Sequence, residues 1–247
     1  MRLKFLGTSA AWPLPRMGCS CVICSSKDPK DTRKRASALV NDFFLIDAGF
    51  DIYGQLTKLA DPSQIKYVYI THDHPDHYAG LWDLSHIVGS KPILIIHPNT
   101  YKKVRSWVMP GDFEVFLLEE GDVFSANGLE VSNAWVNHTK ESSFGIIVKD
   151  NDSRLFYMPD FKTLPETTKN KIKGFDLLVM DGAEWEIPSS NHQTVLQGLK
   201  LAQELKIKQA YFTHIGHRTR THSEFAKFLT AIAPRVQVPY DGLEIEF

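Results

Sequence analysis

The sequence carries almost no net charge. Across 247 residues, 28 lysines and arginines stand against 29 aspartates and glutamates, leaving -1 at pH 7. That balance argues against a broadly basic surface of the kind that coats nucleic acid, while leaving room for a local patch. Long apolar runs are missing too. None approaches the ~18 residues of a membrane span. The opening stretch, MRLKFLGTSAAW, has no extended apolar core of the signal-peptide kind. The expectation is a soluble, cytoplasmic protein that uses no membrane. No tandem repeat, Gly/Ser linker or composition shift divides the chain, so one domain over residues 1–247 is the default. With 43% hydrophobic and 23% charged residues, disordered and low-complexity classes are excluded. Cysteine is scarce and confined to Cys19, Cys21 and Cys24. An odd, tightly spaced set is a poor disulfide framework and fits a metal cluster. Histidine is the residue in surplus, with ten copies, and their positions decide the reading.

Strand-like runs recur along the chain: Leu3–Leu6, Phe43–Ile46, Tyr67–Ile70, Ile93–Ile96, Val131–Val136, Phe144–Val148, Leu155–Met158, Leu177–Met180 and Ala210–Phe212. Each is short, rich in β-branched or aromatic residues, and bounded by Gly, Pro, Asp or Asn. Helical spacing is found at Asp51–Leu59, Tyr78–Val88, Thr194–Leu205 and Ser223–Ile232. Strands outnumber helices. Two sheets covered by helices, an α+β arrangement, fit this better than a simple parallel βαβ array.

Three imidazoles and two carboxylates crowd into His72-Asp73-His74-Pro75-Asp76-His77, directly behind the strand Tyr67–Ile70. Pro75 argues for a loop with a helix starting just behind it. A loop at a strand end can aim several ligands at one point. Imidazole suits zinc, manganese and iron, and carboxylate compensates their charge. Further Asp and His residues stand at the carboxyl ends of other strand-like runs: Asp47 in Leu45-Ile46-Asp47-Ala48-Gly49, His138 in Asn137-His138, Asp160 in Pro159-Asp160, and His214 in Thr213-His214.

This ordered set resembles the five motifs of the metallo-β-lactamase superfamily, along nearly the whole chain. The resemblance implies a four-layer αβ/βα sandwich with two divalent metal ions in the cleft between the sheets. His72, His74 and His138 would bind one ion, Asp76, His77 and His214 the other, and Asp160 would bridge them. Asp47 would orient a ligand imidazole or its loop. Two such ions can hold a hydroxide at neutral pH. With the charges of Asp76 and Asp160 counted, a single positive charge remains, which a monoanionic phosphodiester neutralises. Catalytic roles fall to Asp76 and to His192, just ahead of the helix at Thr194. That imidazole could donate a proton to a leaving oxygen or bind a phosphate oxygen. A hydrogen bond at the helix start is its other reading.

Cys19-Ser20-Cys21-Val22-Ile23-Cys24 needs one more ligand for the Cys₃His site of structural zinc. His217 is the first choice and His222 the competitor. Together with Phe5-Leu6-Gly7-Thr8-Ser9 and Thr213-His214-Ile215-Gly216-His217, the cluster is similar to the cyclic phosphodiesterases of phosphonate breakdown. That similarity implies manganese or zinc at the catalytic pair, a structural zinc, a small cyclic phosphodiester as substrate, and a homodimer. A ribonuclease Z-like tRNA nuclease and a thioesterase or lactamase are the alternatives. Lys102, Lys103 and Arg105 read as a solvated helix face, which speaks against an RNA grip.

Overall fold

The computed structural model describes residues 1–247. In chain order the strands and helices are β1 (Arg2–Gly7), β2 (Ser37–Val40), β3 (Phe44–Ile46), α1 (Ile52–Leu59), β4 (Tyr67–Ile70), α2 (Pro75–Tyr78), α3 (Leu81–Leu84), β5 (Ile93–Ile96), α4 (Pro98–Val104) and β6 (Glu114–Leu117). They continue with β7 (Phe124–Ala126), β8 (Leu129–Trp135), β9 (Phe144–Lys149), β10 (Arg154–Tyr157), α5 (Glu166–Ile172), β11 (Leu177–Asp181), α6 (Val195–Glu204), β12 (Gln209–Thr213), α7 (His222–Ile232), β13 (Val236–Gln237) and β14 (Glu244–Glu246).

Two seven-stranded mixed sheets result, in the orders β14-β1-β2-β3-β4-β5-β6 and β13-β12-β11-β10-β9-β8-β7. Their inner faces meet in one apolar seam, where Phe5, Phe44 and Tyr69 pack against Val131, Leu155 and Val179. Helices α1, α3 and α4 cover the outer face of the first sheet over Leu45, Val68 and Ile96. Helices α5, α6 and α7 cover the second over Phe156, Met180 and Phe212. The layers therefore run helix, sheet, sheet, helix. Strands buried on both faces read as unbroken apolar runs, which is why Tyr67–Ile70 and Leu177–Met180 show no alternation. No helix is long and apolar enough to cross a membrane.

Strand direction explains where function collects. β3 and β4 run parallel, as do β10, β11 and β12. β8 is antiparallel to β9, which is antiparallel to β10, so β8 points the same way as β10. The carboxyl ends of these strands share one edge of the sandwich.

Several elements differ from the spacing-based expectation. The apolar pattern over Tyr78–Val88 is split into α2 and α3, with Gly80 between them. A Cβ at Gly80 would lie 2.4 Å from the Gly49 carbonyl oxygen, so the break is where the Asp47–Gly49 loop presses in. The short helices α4 and α5, and strands β2, β6, β7, β13 and β14, were not read from the sequence. Strand β6 is an edge strand exposed along most of its length, and β13 has two residues. Such pieces give little periodic signal. Helix α6 opens with a capping box, in which Gln197 N–H donates to Thr194 Oγ1 (3.2 Å) and Thr194 N–H to Gln197 Oε1 (2.9 Å).

The buried Arg33 ties the chain's two ends together. Its guanidinium donates to Thr8 Oγ1 at 2.8 Å, to the Pro239 carbonyl at 2.6 Å and to His222 Nδ1 at 3.1 Å. Burial, with the positive charges of Arg33 and Lys30, holds the His222 imidazole down at about 4. An unfolded imidazole titrates near 6.5, so protons favour the unfolded chain between about pH 6.5 and 4. Stability is therefore lost as pH falls through that window. Thermal unfolding at pH 7 and pH 5 should show a smaller acid loss in His222→Asn than in the parent; equal losses would contradict this account.

Candidate active site

Six strand ends deliver the site. The first positions are set by backbone as much as by side chain. Asp47 (φ 61°) and His214 (φ 57°) both occupy the left-handed region, which non-glycine residues rarely enter. Each stands just past the end of its strand, and the turn folds its side chain back over the sheet edge. The next turn must also let another loop through: a Cβ on Gly49 would fall 1.9 Å from the Asp76 carbonyl oxygen. Gly49 thus allows the loop after β3 to lie directly on the loop after β4.

Asp47 organises that second loop. Its Oδ1 accepts from Thr71 N–H (2.8 Å), and its carboxylate accepts the Thr71 hydroxyl proton (2.9 Å). Its Oδ2 also accepts from His77 Nδ1–H at 2.9 Å. With its proton given to Asp47, the Thr71 oxygen accepts from His72 Nδ1–H at 3.0 Å. The His138 Nδ1–H is spoken for by the Asn191 carbonyl at 3.1 Å. In all three imidazoles Nδ1 is the protonated nitrogen, and the bare Nε2 is left for the site.

Those nitrogens converge on Asp160, which is 2% exposed. Its Oδ2 lies 3.1 Å from His138 Nε2, 3.5 Å from His72 Nε2 and 3.5 Å from His214 Nε2. His77 Nε2 and His74 Nδ1 stand at 3.9 and 4.0 Å. On the far side, Asp76 Oδ2 lies 3.1 Å from His77 Nε2 and 3.6 Å from His214 Nε2. Burial opposes ionisation of Asp76, yet the imidazoles of His77 and His214 outweigh it and keep the carboxyl far below its usual range. Asp160 is likewise held ionised against burial by His214 and His138. Among the imidazoles, burial and the neighbouring His77 push His72 down. His77 is raised against burial by Asp76 and Asp47.

His192 does not cap α6; Thr194 does. Its Nδ1–H donates to Asp181 Oδ2 at 2.8 Å, and Asp160 Oδ1 lies 2.9 Å from the same nitrogen. Burial works against its charge, but Asp160 and Asp181 together raise it to about 11. Asp181 was missed in the sequence. The signal was present: it closes the run Leu177–Met180 as Asp47 closes its own strand. Lys102, Lys103 and Arg105 are exposed, as a solvated helix face should be, and the Lys103 ammonium also reaches Asp73 at 3.0 Å and Ser142 Oγ at 2.8 Å. Asp73 accepts from Ser142 Oγ at 2.6 Å and Thr139 Oγ1 at 3.0 Å. This net staples the loop of His138 to that of His72 and His74.

The cysteines form a second centre. Cys19 Sγ lies 3.4 Å and Cys21 Sγ 4.0 Å from His217 Nδ1, and the ligand atoms of Cys19, Cys21, Cys24 and His217 all lie within 4.8 Å of one another. His222 is elsewhere, against Arg33. Backbone N–H donation within the cluster, followed by His217, pulls the Cys19 thiol down to about 6.

A model of the β-lactamase superfamily domain matches residues 43–215, which contain every residue of the histidine–aspartate site. The chain belongs to the metallo-β-lactamase superfamily. It is 26% identical to an octanoyltransferase of Porphyromonas gingivalis over 99% of its own length, but spans only about half (51%) of that protein. A ribonuclease Z of Myxococcus xanthus is 24% identical, with 100% of this chain and 97% of that one aligned. A crystal structure of a diphosphatase from the PhnP family superposes with a TM-score of 0.86 at 27% identity, covering 100% of this chain and 97% of that one.

Membership of this superfamily implies divalent metal, and the orphaned atoms fit one. His72 Nε2, His77 Nε2, both ring nitrogens of His214 and Asp160 Oδ1 are buried without a hydrogen-bond partner. Each such orphan costs about 1–3 kcal/mol if left bare. The contact of His138 Nε2 with Asp160 Oδ2 sets one lone pair against another, which a cation between them relieves. The four donors of His72, His74, His138 and Asp160 lie within 4.8 Å of one another, as do those of Asp76, His77 and His214. An ion with bonds of ~2.0–2.3 Å fits such a spread. Asp160→Ala should lower the metal content found by elemental analysis, with the far-ultraviolet dichroism kept. Unchanged metal content would remove Asp160 from the centre.

Proposed function

We infer that this chain is a phosphoric diester hydrolase acting on a small, cyclic phosphodiester. The observation that carries the reading is the Asp181–His192 pair, 2.8 Å apart, set beside Asp160 at the mouth of the site. With Nδ1 bound to Asp181, His192 has Nε2 free for a substrate oxygen. An imidazole so held can keep a proton at the leaving alkoxide, or lend positive charge to a phosphate oxygen. Neutral amide or thioester cleavage has less need of that charge.

His72, His74 and His138 would hold one divalent ion, Asp76, His77 and His214 the other, with Asp160 shared; manganese and zinc both suit these donors. When bound, such ions supply a nucleophile from water at neutral pH and positive charge for the phosphate oxygens. The protein's share is placement. Asp47 fixes the tautomer of His77 and, through Thr71, that of His72. The Asn191 carbonyl fixes His138. Asp76 keeps its negative charge between His77 and His214, which lowers the net charge of the loaded site towards the single charge a monoanionic diester matches. A structural zinc would sit among Cys19, Cys21, Cys24 and His217. The diphosphatase of the PhnP family, alike in fold over the whole chain, supports hydrolytic chemistry at a phosphate group.

Bis-p-nitrophenyl phosphate and a 2′,3′-cyclic nucleotide should be turned over with higher kcat/KM than an octanoyl thioester, a β-lactam or unprocessed tRNA. Preference for the thioester or for tRNA would displace this reading. His192→Ala should retain its metal and slow diester hydrolysis by ~10²–10⁴-fold, the usual loss for a general acid. Asp181→Asn should follow in the same direction. A His192→Ala rate equal to the parent's would return this imidazole to a structural role.

A further inference from the structure

The imidazole of His192 is carried by residues 182–194, which join β11 to α6 without a helix or strand of their own. The segment is closed at its neck, where Val195 N–H donates to the Glu184 carbonyl at 2.9 Å. Beyond the neck, Ile187, Pro188, Ser190 and Asn191 are exposed, and His192 itself is only half-buried. Apolar packing therefore does little to hold the imidazole, and its place depends on hydrogen bonds. Two of these come from one side chain. The Lys162 ammonium donates to the Ser189 carbonyl at 2.6 Å and to the His192 carbonyl at 2.9 Å.

Lys162 belongs to the turn that follows β10, just past Asp160. Its own N–H donates to the Asn137 carbonyl at 2.7 Å, and Asn137 N–H donates to the Thr163 carbonyl at 3.0 Å, so its main chain is tied to the loop of His138. The neighbouring Phe161 N–H donates at 3.1 Å to Asp181 Oδ2, the oxygen that accepts from His192 Nδ1–H. The Phe161 carbonyl accepts from Gln193 N–H at 3.2 Å. One turn thus orients both partners: Phe161 aims the Asp181 carboxylate, and Lys162 fixes the backbone from which His192 projects. The ammonium charge strengthens both of its bonds, since a charged donor binds a carbonyl more tightly than a neutral one.

We propose that Lys162 is a positioning residue for His192. By pinning the Ser189 and His192 carbonyls it sets the imidazole 2.8 Å from Asp181 and keeps Nε2 turned to the substrate. Lys162 touches no reacting atom in this role. Its benefit to catalysis rests on the diester reading above; the pinning of the imidazole does not.

With bis-p-nitrophenyl phosphate as substrate, Lys162→Met in the zinc-loaded protein should lower kcat ~10–10²-fold, the scale of a displaced catalytic group. KM, metal content and far-ultraviolet dichroism should stay near the parent's. Lys162→Arg, which keeps N–H donors for both carbonyls, should lie between the two. Because Lys162 acts through His192, adding Lys162→Met to His192→Ala should cost no further rate, whereas independent losses would multiply. The His192 Nδ1–H proton resonance, assigned by its absence in His192→Ala, should shift or broaden in Lys162→Met. If Lys162→Met does not fold, Lys162→Gln, which loses the charge and the reach, is read in the same way. A parent-like kcat in the methionine variant, losses that multiply in the double variant, or an unmoved Nδ1–H resonance would each overturn the proposal. A His192→Ala rate equal to the parent's would instead sink the use of His192 in the diester reading, and the resonance alone would then decide the positioning.

Discussion

A carboxylate with 2% exposure is costly to keep ionised, and around Asp160 the ends of three different strands gather imidazole nitrogens that suit a cation shared with it. His72, His138 and His214 all come within 3.5 Å of one oxygen. The two sheets are braced against each other by an apolar seam, and that seam fixes the strand ends. The seam therefore sets the spacing of the donors around the buried acid.

Around this centre the protein spends its hydrogen bonds on orientation. Asp47 handles two jobs with one carboxylate, gripping Thr71 and turning His77, and it does so from a left-handed backbone conformation. Strain of this kind persists where surrounding contacts over-determine it. The Asp73–Lys103–Ser142 net does the same for the relative position of two loops. Asp181 does it for His192. Each of these groups points a ligand or a proton, and each sits one shell away from the atoms that would touch a metal.

Sequence motifs carried the donors themselves and one of their supports, Asp47, but not the others. His72, His74, Asp76 and His77 were legible because so dense a run of imidazole and carboxylate has a chemical purpose and little structural one. His138, Asp160 and His214 became legible only as an ordered set at strand ends. Asp181 and the reach of Lys103 to Asp73 escaped because a lone acid after a strand, or a lysine on a short helix, looks like ordinary surface until its partner is known. The break between α2 and α3 escaped for the same reason: the apolar spacing was helical, and the intruding Gly49 loop comes from another part of the chain.

The sequence by itself determined the classes of residue available, the alternation of short buried strands with helices, and the placement of Asp or His at strand ends, since these follow from local composition and spacing. Only the tertiary structure decided that β8 runs with β10 and so brings His138 to Asp160, that His217 and not His222 stands beside the three sulfurs, and that Lys162 meets the carbonyl of His192. Such juxtapositions join residues tens to hundreds of positions apart. They are set by sheet order and by the packing of two apolar faces, neither of which is written in any one segment of the chain.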